Sequence, residues 1–264
     1  MNAASPTAAP PPAIDMRGVE VGAFRDLSVG VIHDVNWQVA PGDYWVVAGL
    51  QGTGKTDLLM MAAGLTPPQR GDYRLFGETM PVYEEEQLPV RLRLGLVFDG
   101  GQLFHQLTLR ENLALPLRYH HNLSADAAAG QVQAFLDAME LAPWADRFPS
   151  ALGRNWVRRA GLARALMLRP EILLIDNSLG GLDPQHAAWW LNYLDQLALG
   201  HPLLDHQPVT LVVTTADFRP WKGRARQFAV LRREHFRVLG DWSQVETAGG
   251  DWVADLLAGE NQGD

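Results

Sequence analysis

The residues best placed to do chemistry are Gly49-Leu50-Gln51-Gly52-Thr53-Gly54-Lys55-Thr56, set between the apolar run Tyr44 to Ala48 and a helix-forming run from Asp57 to Ala63. Glycines at this spacing let backbone N–H groups close around phosphate oxygens, and a helix start adds positive potential at the same point. Lys55 can then reach the terminal phosphates, and Thr56 offers a hydroxyl to Mg²⁺. The pattern implies a nucleotide-binding loop over Gly49 to Thr56, with Asp57 beside it, rather than a mere glycine-rich turn. Asp176 closes the most apolar run of the chain, Ile172-Leu173-Leu174-Ile175, where a carboxylate can hold Mg²⁺ directly or through water. Gly181-Leu182-Asp183-Pro184 follows as a turn that starts a helix and can bring Asp183 near a partner chain.

These residues need a scaffold, and the hydrophobic pattern describes one. Strand signals occur at Met16 to Val21, Val31 to Val39, Tyr44 to Ala48, Arg93 to Phe98, Ile172 to Asp176, Val209 to Thr214, Phe228 to Arg232 and Arg237 to Leu239. The runs at 172–175 and 211–213 are wholly apolar, as suits parallel strands covered on both faces. Helical periodicity without strands fills the stretch from about Gln102 to Ser150, opened by Thr108 three residues before Glu111 as a capping box, and Ser124 can cap a helix running to about Glu140. A helical lobe is therefore inserted into an α/β core.

Composition narrows the function classes. The chain of 264 residues is 47% hydrophobic and carries a net charge of −8, so it can bury a full core and has no basic footprint for nucleic acid. With no cysteine it has no disulfide, thiolate metal site or cysteine nucleophile. Residues 1–13 are expected to form a disordered Ala/Pro-rich tail, 14–245 the folded domain, and 246–264 a helical tail with a turn at Gly249-Gly250. No apolar window approaches the length of a membrane-spanning helix.

Together the phosphate loop, the helical insert, Leu162-Ala163-Arg164-Ala165-Leu166, the strand ending at Asp176 and Gly181-Leu182-Asp183-Pro184 resemble the ATP-binding subunit of ABC transporters over about residues 14–245. Val97-Phe98-Asp99-Gly100-Gly101-Gln102-Leu103-Phe104 followed by Leu107 to Leu113 is most similar to the Mla branch, which serves lipid transport between bacterial membranes through an MCE-protein permease complex. The resemblance implies an α/β P-loop NTPase fold with an antiparallel β subdomain and a helical subdomain over about residues 100–165. It implies ATP and Mg²⁺ as cofactors. It also implies a permease and a second nucleotide-binding subunit, self or paralogue, as partners, and a cytoplasmic place at the inner membrane. A permease helix would then sit beside Asp99, against Leu103, Phe104, Leu107, Leu109 and Leu113, which are otherwise ordinary lobe core. Trp189, Trp190 and Tyr193 can serve either core or a partner.

The same resemblance exposes departures. Asp99 stands where the family has a glutamine that senses the γ-phosphate and Mg²⁺; an aspartate can bind the metal, and Gln102 could substitute only if its loop shifts. Leu152-Gly153-Arg154-Asn155 replaces Leu-Ser-Gly-Gly, losing a hydroxyl that acts on ATP held by the other subunit; Arg154 can contact phosphate or obstruct it. Asn177 replaces the glutamate that activates water, Ser178 the following proline, and Ala216, in Thr215-Ala216-Asp217, the switch histidine. The adenine-stacking position is Val21 or Phe24. Losing general-base assistance costs about 10²- to 10⁴-fold in rate, so the expectation is MgATP binding with little or no hydrolysis. The alternatives are a slow working ATPase, with Asp99 or another acid as base, and a P-loop switch without a permease.

Overall fold

The computed structural model describes residues 11–80, 85–247, 253, 254 and 256. Its strands are β1 (Ile14–Ala23), β2 (Asp26–Val39), β3 (Tyr44–Ala48), β4 (Arg70–Leu75), β5 (Glu78–Thr79), β6 (Leu94–Val97), β7 (Ile172–Ile175), β8 (Thr210–Thr215), β9 (Gln227–Arg232) and β10 (His235–Gly240). Its helices are α1 (Lys55–Ala62), α2 (Leu88–Leu92), α3 (Leu109–His120), α4 (Ala125–Ala138), α5 (Arg154–Leu166), α6 (Pro184–Leu199) and α7 (Trp242–Thr247). One sheet runs in the order β5-β4-β1-β2-β10-β9-β3-β8-β7-β6.

The strands β9, β3, β8, β7 and β6 pair in parallel, and every residue of β3, β7 and β8 is buried. Period-two alternation divides these side chains between two cores. Val46, Leu173 and Val213 face the helical lobe, whereas Trp45, Leu174 and Val212 face α1 and the antiparallel wing. That wing is built from β2-β1-β4-β5, all antiparallel, and in β2 Val35, Trp37 and Val39 point inward while Asn36 and Gln38 face out. The pattern reading names no strand for β4 or β5, because only Tyr73 and Leu75 of β4 are buried.

In the lobe, Thr108 Oγ1 accepts from the Glu111 N–H at 3.2 Å and the Glu111 carboxylate accepts from the Thr108 N–H at 2.8 Å, completing the expected box at the start of α3. Ser124 caps α4, which ends at Ala138 rather than Glu140. Trp190 and Tyr193 on α6 are core, and half-buried Trp189 stacks on Tyr193 with ring centroids 4.9 Å apart.

Two boundaries need correction. Ala13, assigned to the tail, is fully buried because its N–H donates to Val39 at 2.7 Å and its carbonyl accepts from Phe76 at 2.9 Å, extending the β1 ladder. The division at 245/246 falls inside α7, which runs through Thr247. Most of the expected 246–264 tail, with Gly249-Gly250, lies outside the described residues, as do residues 1–10. Val253 and Leu256 are described and packed into the lobe-side core. Among the described residues no helix is long and apolar enough to cross a membrane.

Candidate functional site

The chain leaves β3 at Ala48, is held by the Gly49 N–H donating to Thr215 at 3.0 Å, and turns into α1. Gly54 caps that helix at φ 89, where a side chain would be strained and a Cβ would lie 3.1 Å from Ile32. Lys55 folds back over the loop, donating from Nζ to the carbonyls of Gly49 at 2.5 Å and Leu50 at 2.8 Å. Burial pushes its ammonium below the ordinary lysine pKa, with Asp176 acting in the opposite sense. A cation held only by neutral carbonyls in a desolvated loop is poised for an anion.

Asp176 follows β7 and is nearly buried. Its Oδ2 accepts from Thr56 Oγ1 at 2.7 Å, and its Oδ1 accepts from Thr214 Oγ1 at 2.8 Å. The Thr214 hydroxyl accepts in turn from the Asn177 N–H at 2.9 Å. Thr214 escaped the sequence reading, although a threonine that follows the apolar run Leu211 to Val213 within the buried strand β8 leaves a hydroxyl that must find a partner. Thr56, Asp176 and Lys55 border one open cavity of about 1310 Å³, and Asn177, Asp99 and Arg154 line it as a second wall.

That second wall is held by arginine. Arg154 Nη2 lies 3.0 Å from each carboxylate oxygen of Asp99. The buried Arg158 Nη2 lies 3.1 Å from Asp99 Oδ1, and its guanidinium also donates to the carbonyls of Gly180, at 2.7 Å, and Asn177. Asn177 Nδ2 donates to Asp99 Oδ2 at 3.3 Å. Burial pushes the Arg158 pKa down while Asp99 opposes the shift. The Asp99 loop is pressed onto α5 because glycine meets glycine there: a Cβ on Gly161 would come within 2.7 Å of Gly101. Arg164 donates to the Gln102 carbonyl at 2.8 Å, which pins the loop, and Gln102 does not line the cavity. Two guanidiniums and an amide thus occupy the oxygens of Asp99, which the sequence offers as a possible metal ligand. Arg158, unmarked by sequence reasoning, is the buried centre of this wall.

The remaining predicted residues divide. Ala216 lines the cavity, and beside it Asp217 holds Arg219 at 2.7 Å. Asp57 accepts from the Phe24 N–H at 2.8 Å, so it fixes the β1–β2 turn. Phe24 is exposed and does not line the cavity, while Val21 is buried in the core and has no face free for stacking. Gly153 starts α5 without a side-chain cap; Asn155 donates to Asp183 at 3.1 Å, and Asp183 caps α6 through the His186 N–H at 2.9 Å. These three stand apart from the cavity lining. Of the apolar groove candidates, Leu103, Leu109 and Leu113 are buried lobe core, Leu107 is half-buried, and only Phe104, 47% exposed, presents most of a ring.

A family model described as ABC transporter matches residues 32–180, more than half of the chain. The chain belongs to the ABC transporter ATP-binding family. This ABC domain is 34% identical over 251 residues to the methionine import ATP-binding protein MetN 2 of Paraburkholderia xenovorans, an alignment covering 91% of the chain and 63% of that relative. It is 33% identical to the intermembrane phospholipid transport system ATP-binding protein MlaF of Escherichia coli K12, covering 77% of the chain and 73% of the relative. Among solved structures, cbiO1 from Clostridium perfringens superposes with a TM-score of 0.73 at 17% identity, covering 90% of this chain and 91% of that one. The bacterial ABC transporter cassette MJ0796 superposes with a TM-score of 0.72 at 24% identity, covering 84% and 95%. The expected fold, an ABC-type α/β domain with an antiparallel wing and a helical insert, is the observed one.

Proposed function

We propose that this chain is the ATP-binding subunit of a Mla-like lipid transport complex and holds MgATP with little or no hydrolysis. The observation that carries the slow turnover is that each carboxylate lining the cavity already has a partner. Asp57 holds the Phe24 N–H, Asp176 holds two threonine hydroxyls, Asp99 holds two guanidiniums, and Asp217 holds Arg219. Asn177, next to Asp176, offers an amide that can hold a water and cannot accept its proton. Ala216 adds no hydrogen bond toward a terminal phosphate.

Nucleotide binding uses the other wall. The phosphate loop and Lys55 would take the phosphates, while Thr56 and Asp176, already 2.7 Å apart, would hold Mg²⁺. Thr56 and Asp176 would thereby hold a cation whose charge offsets that of the phosphates. The Mla-like assignment is supported by the likeness to MlaF over most of this chain and by the sequence from Val97 to Leu113. On this reading the partners are a permease of Mla/MCE type, meeting the lobe near Phe104, and a second nucleotide-binding subunit; the chain sits peripherally on the cytoplasmic side of the inner membrane and binds no nucleic acid.

The test is to mix the purified chain with MgATP, isolate the complex and identify the retained nucleotide, with Lys55→Ala as control. Intact ATP, kept only by the unmodified chain, is the expected result. Steady ADP production that vanishes in the control would instead make this a working transport ATPase.

A further inference from the structure

Arg159 on α5 is a buried cation outside the nucleotide cavity, its side chain only 3% exposed. Its guanidinium carbon lies 3.8 Å from the ring centroid of Trp189 on α6 and 4.7 Å from that of Trp156 on α5 itself. Nη1 donates to Glu140 Oε2 at 2.8 Å, whereas Nε has no hydrogen-bond partner among the described residues. A charge taken out of water with one carboxylate for company depends on whatever else faces it, and here that is the faces of two indoles. Glu140 is itself held in place. It stands just past the end of α4 at φ 59, a left-handed conformation that a long side chain keeps only where its surroundings fix it, and the Leu141 N–H that follows it donates to the Leu136 carbonyl at 2.7 Å.

The end of α4, α5 and α6 thus meet on one cation. Neighbouring contacts repeat the same joint. The Trp156 ring lies 5.4 Å from His186 on α6 and 6.3 Å from Trp144 in the short turn after α4, and Asn155 donates to Asp183 at the start of α6 at 3.1 Å. α6 is anchored in turn, because Trp190, Tyr193, Leu194 and Leu197 are buried in the same core as Val46, Leu173 and Val213 of the parallel strands. For α5 to slide along α6, the guanidinium would have to leave the Trp189 face and, with it, most of what offsets its burial. Close-packed interfaces of this kind hold discrete arrangements and do not deform continuously.

We infer that Arg159, with Trp156, Trp189 and Glu140, locks the helical lobe, α3 to α5, onto α6, so that lobe and sheet form one rigid body whose geometry does not answer to nucleotide. Trp189, which the sequence leaves between core and partner, is the ring platform of that lock. The lock lies outside the cavity and holds whether or not MgATP is bound. On the proposed MgATP reading, nucleotide then changes what the cavity contains without changing the face that the lobe presents.

The chain has no cysteine, so a spin-label pair can be placed in the full chain at Ala134→Cys on α4 and Gln196→Cys on α6, both exposed, and its separation read by pulsed dipolar spectroscopy. The expected result is a narrow distance distribution, with the same mean in the absence of nucleotide and in saturating MgATP. Arg159→Leu in the labelled chain is expected to broaden it by about 1–2 Å, the amplitude of one helix slipping on another, with the circular dichroism spectrum unchanged. Trp189→Leu is expected to broaden it in the same way, and it decides the matter if Arg159→Leu does not fold. A distribution that is broad from the outset, or a mean that moves with MgATP, overturns the inference. So does a distribution left equally narrow in every variant that folds. A chain that retains no nucleotide overturns the MgATP reading alone, because the widths measured without nucleotide still decide the lock.

Discussion

The two walls of the nucleotide cavity are built on opposite principles. On the phosphate-loop wall, short polar side chains at strand and helix ends, Thr56, Asp176 and Thr214, satisfy one another by neutral-to-charged hydrogen bonds, and Lys55 is held only by carbonyls. Their bonds are to small groups that a metal or phosphate can replace. On the second wall, Asp99, Arg154, Arg158 and Asn177 bond to one another as ions and amide, so the Asp99 carboxylate already carries two guanidiniums and an amide. Holding a triphosphate and splitting it make separate demands, and on the proposed reading the first wall serves the first demand while the second has closed on itself.

The largest effects come from breaking the second wall at its buried centre. Arg158→Met leaves Asp99 without its fixed cation and removes bonds to the Asn177 and Gly180 carbonyls. Removing one partner of a buried pair costs about 3–5 kcal/mol, and because Asp99 is 34% exposed the expected loss is at the low end, measured by urea denaturation. An unchanged midpoint would show the wall to be ornamental. Next comes Lys55→Ala, expected to weaken MgATP by about 100-fold, each charge-assisted bond being worth about 1.5–3 kcal/mol. The same variant sharpens the contrast through pH. Burial lowers the folded-state pKa of Lys55 below the ordinary 10.5, so between the two values the unfolded chain holds a proton that the folded one has lost. Stability without nucleotide therefore rises with pH in that alkaline window, and the rise is expected to flatten when Lys55 is replaced. A slope that persists in the variant would place its origin elsewhere.

How much of this was legible follows from what each residue type reveals alone. The parallel strands were legible because β3, β7 and β8 are buried on both faces and read as apolar runs; β4, with two inward residues, left too short a period to see. Lys55, Thr56 and Asp176 were legible because phosphate chemistry fixes their types and spacing. The state of Asp99 was not, since its two guanidinium partners come from α5, 55 positions away for Arg154, and a close contact between Gly101 and Gly161 brings them together. Sequence types identify a residue that acts alone and miss one whose charge is cancelled through tertiary packing.

Thr214→Val tests the first wall from beneath. The methyl keeps the volume while the hydroxyl that joins Asp176 to the Asn177 N–H is lost, leaving a buried donor without its acceptor. About 1–3 kcal/mol of stability should go with it, read from the thermal midpoint, and the Mg²⁺ dependence of ATP binding should weaken as Asp176 loses its orientation. Loss of stability with an unchanged Mg²⁺ dependence would separate Thr214 from the metal site.

The smallest effect is the most discriminating. If the missing base at 177 were the sole defect, Asn177→Glu would restore turnover. The backbone argues otherwise, because Asn177 sits at φ 46, a left-handed conformation that asparagine tolerates and glutamate resists at about 1–2 kcal/mol. Its amide also donates to Asp99, so a carboxylate there would meet a like charge, and Ala216 would still offer nothing to the phosphate. The expected outcome is a midpoint lowered by about 2–4 °C per kcal/mol lost, with no gain in phosphate release. A large gain in release would show that the second wall is one substitution from working, and that its ion pairs do not themselves prevent hydrolysis.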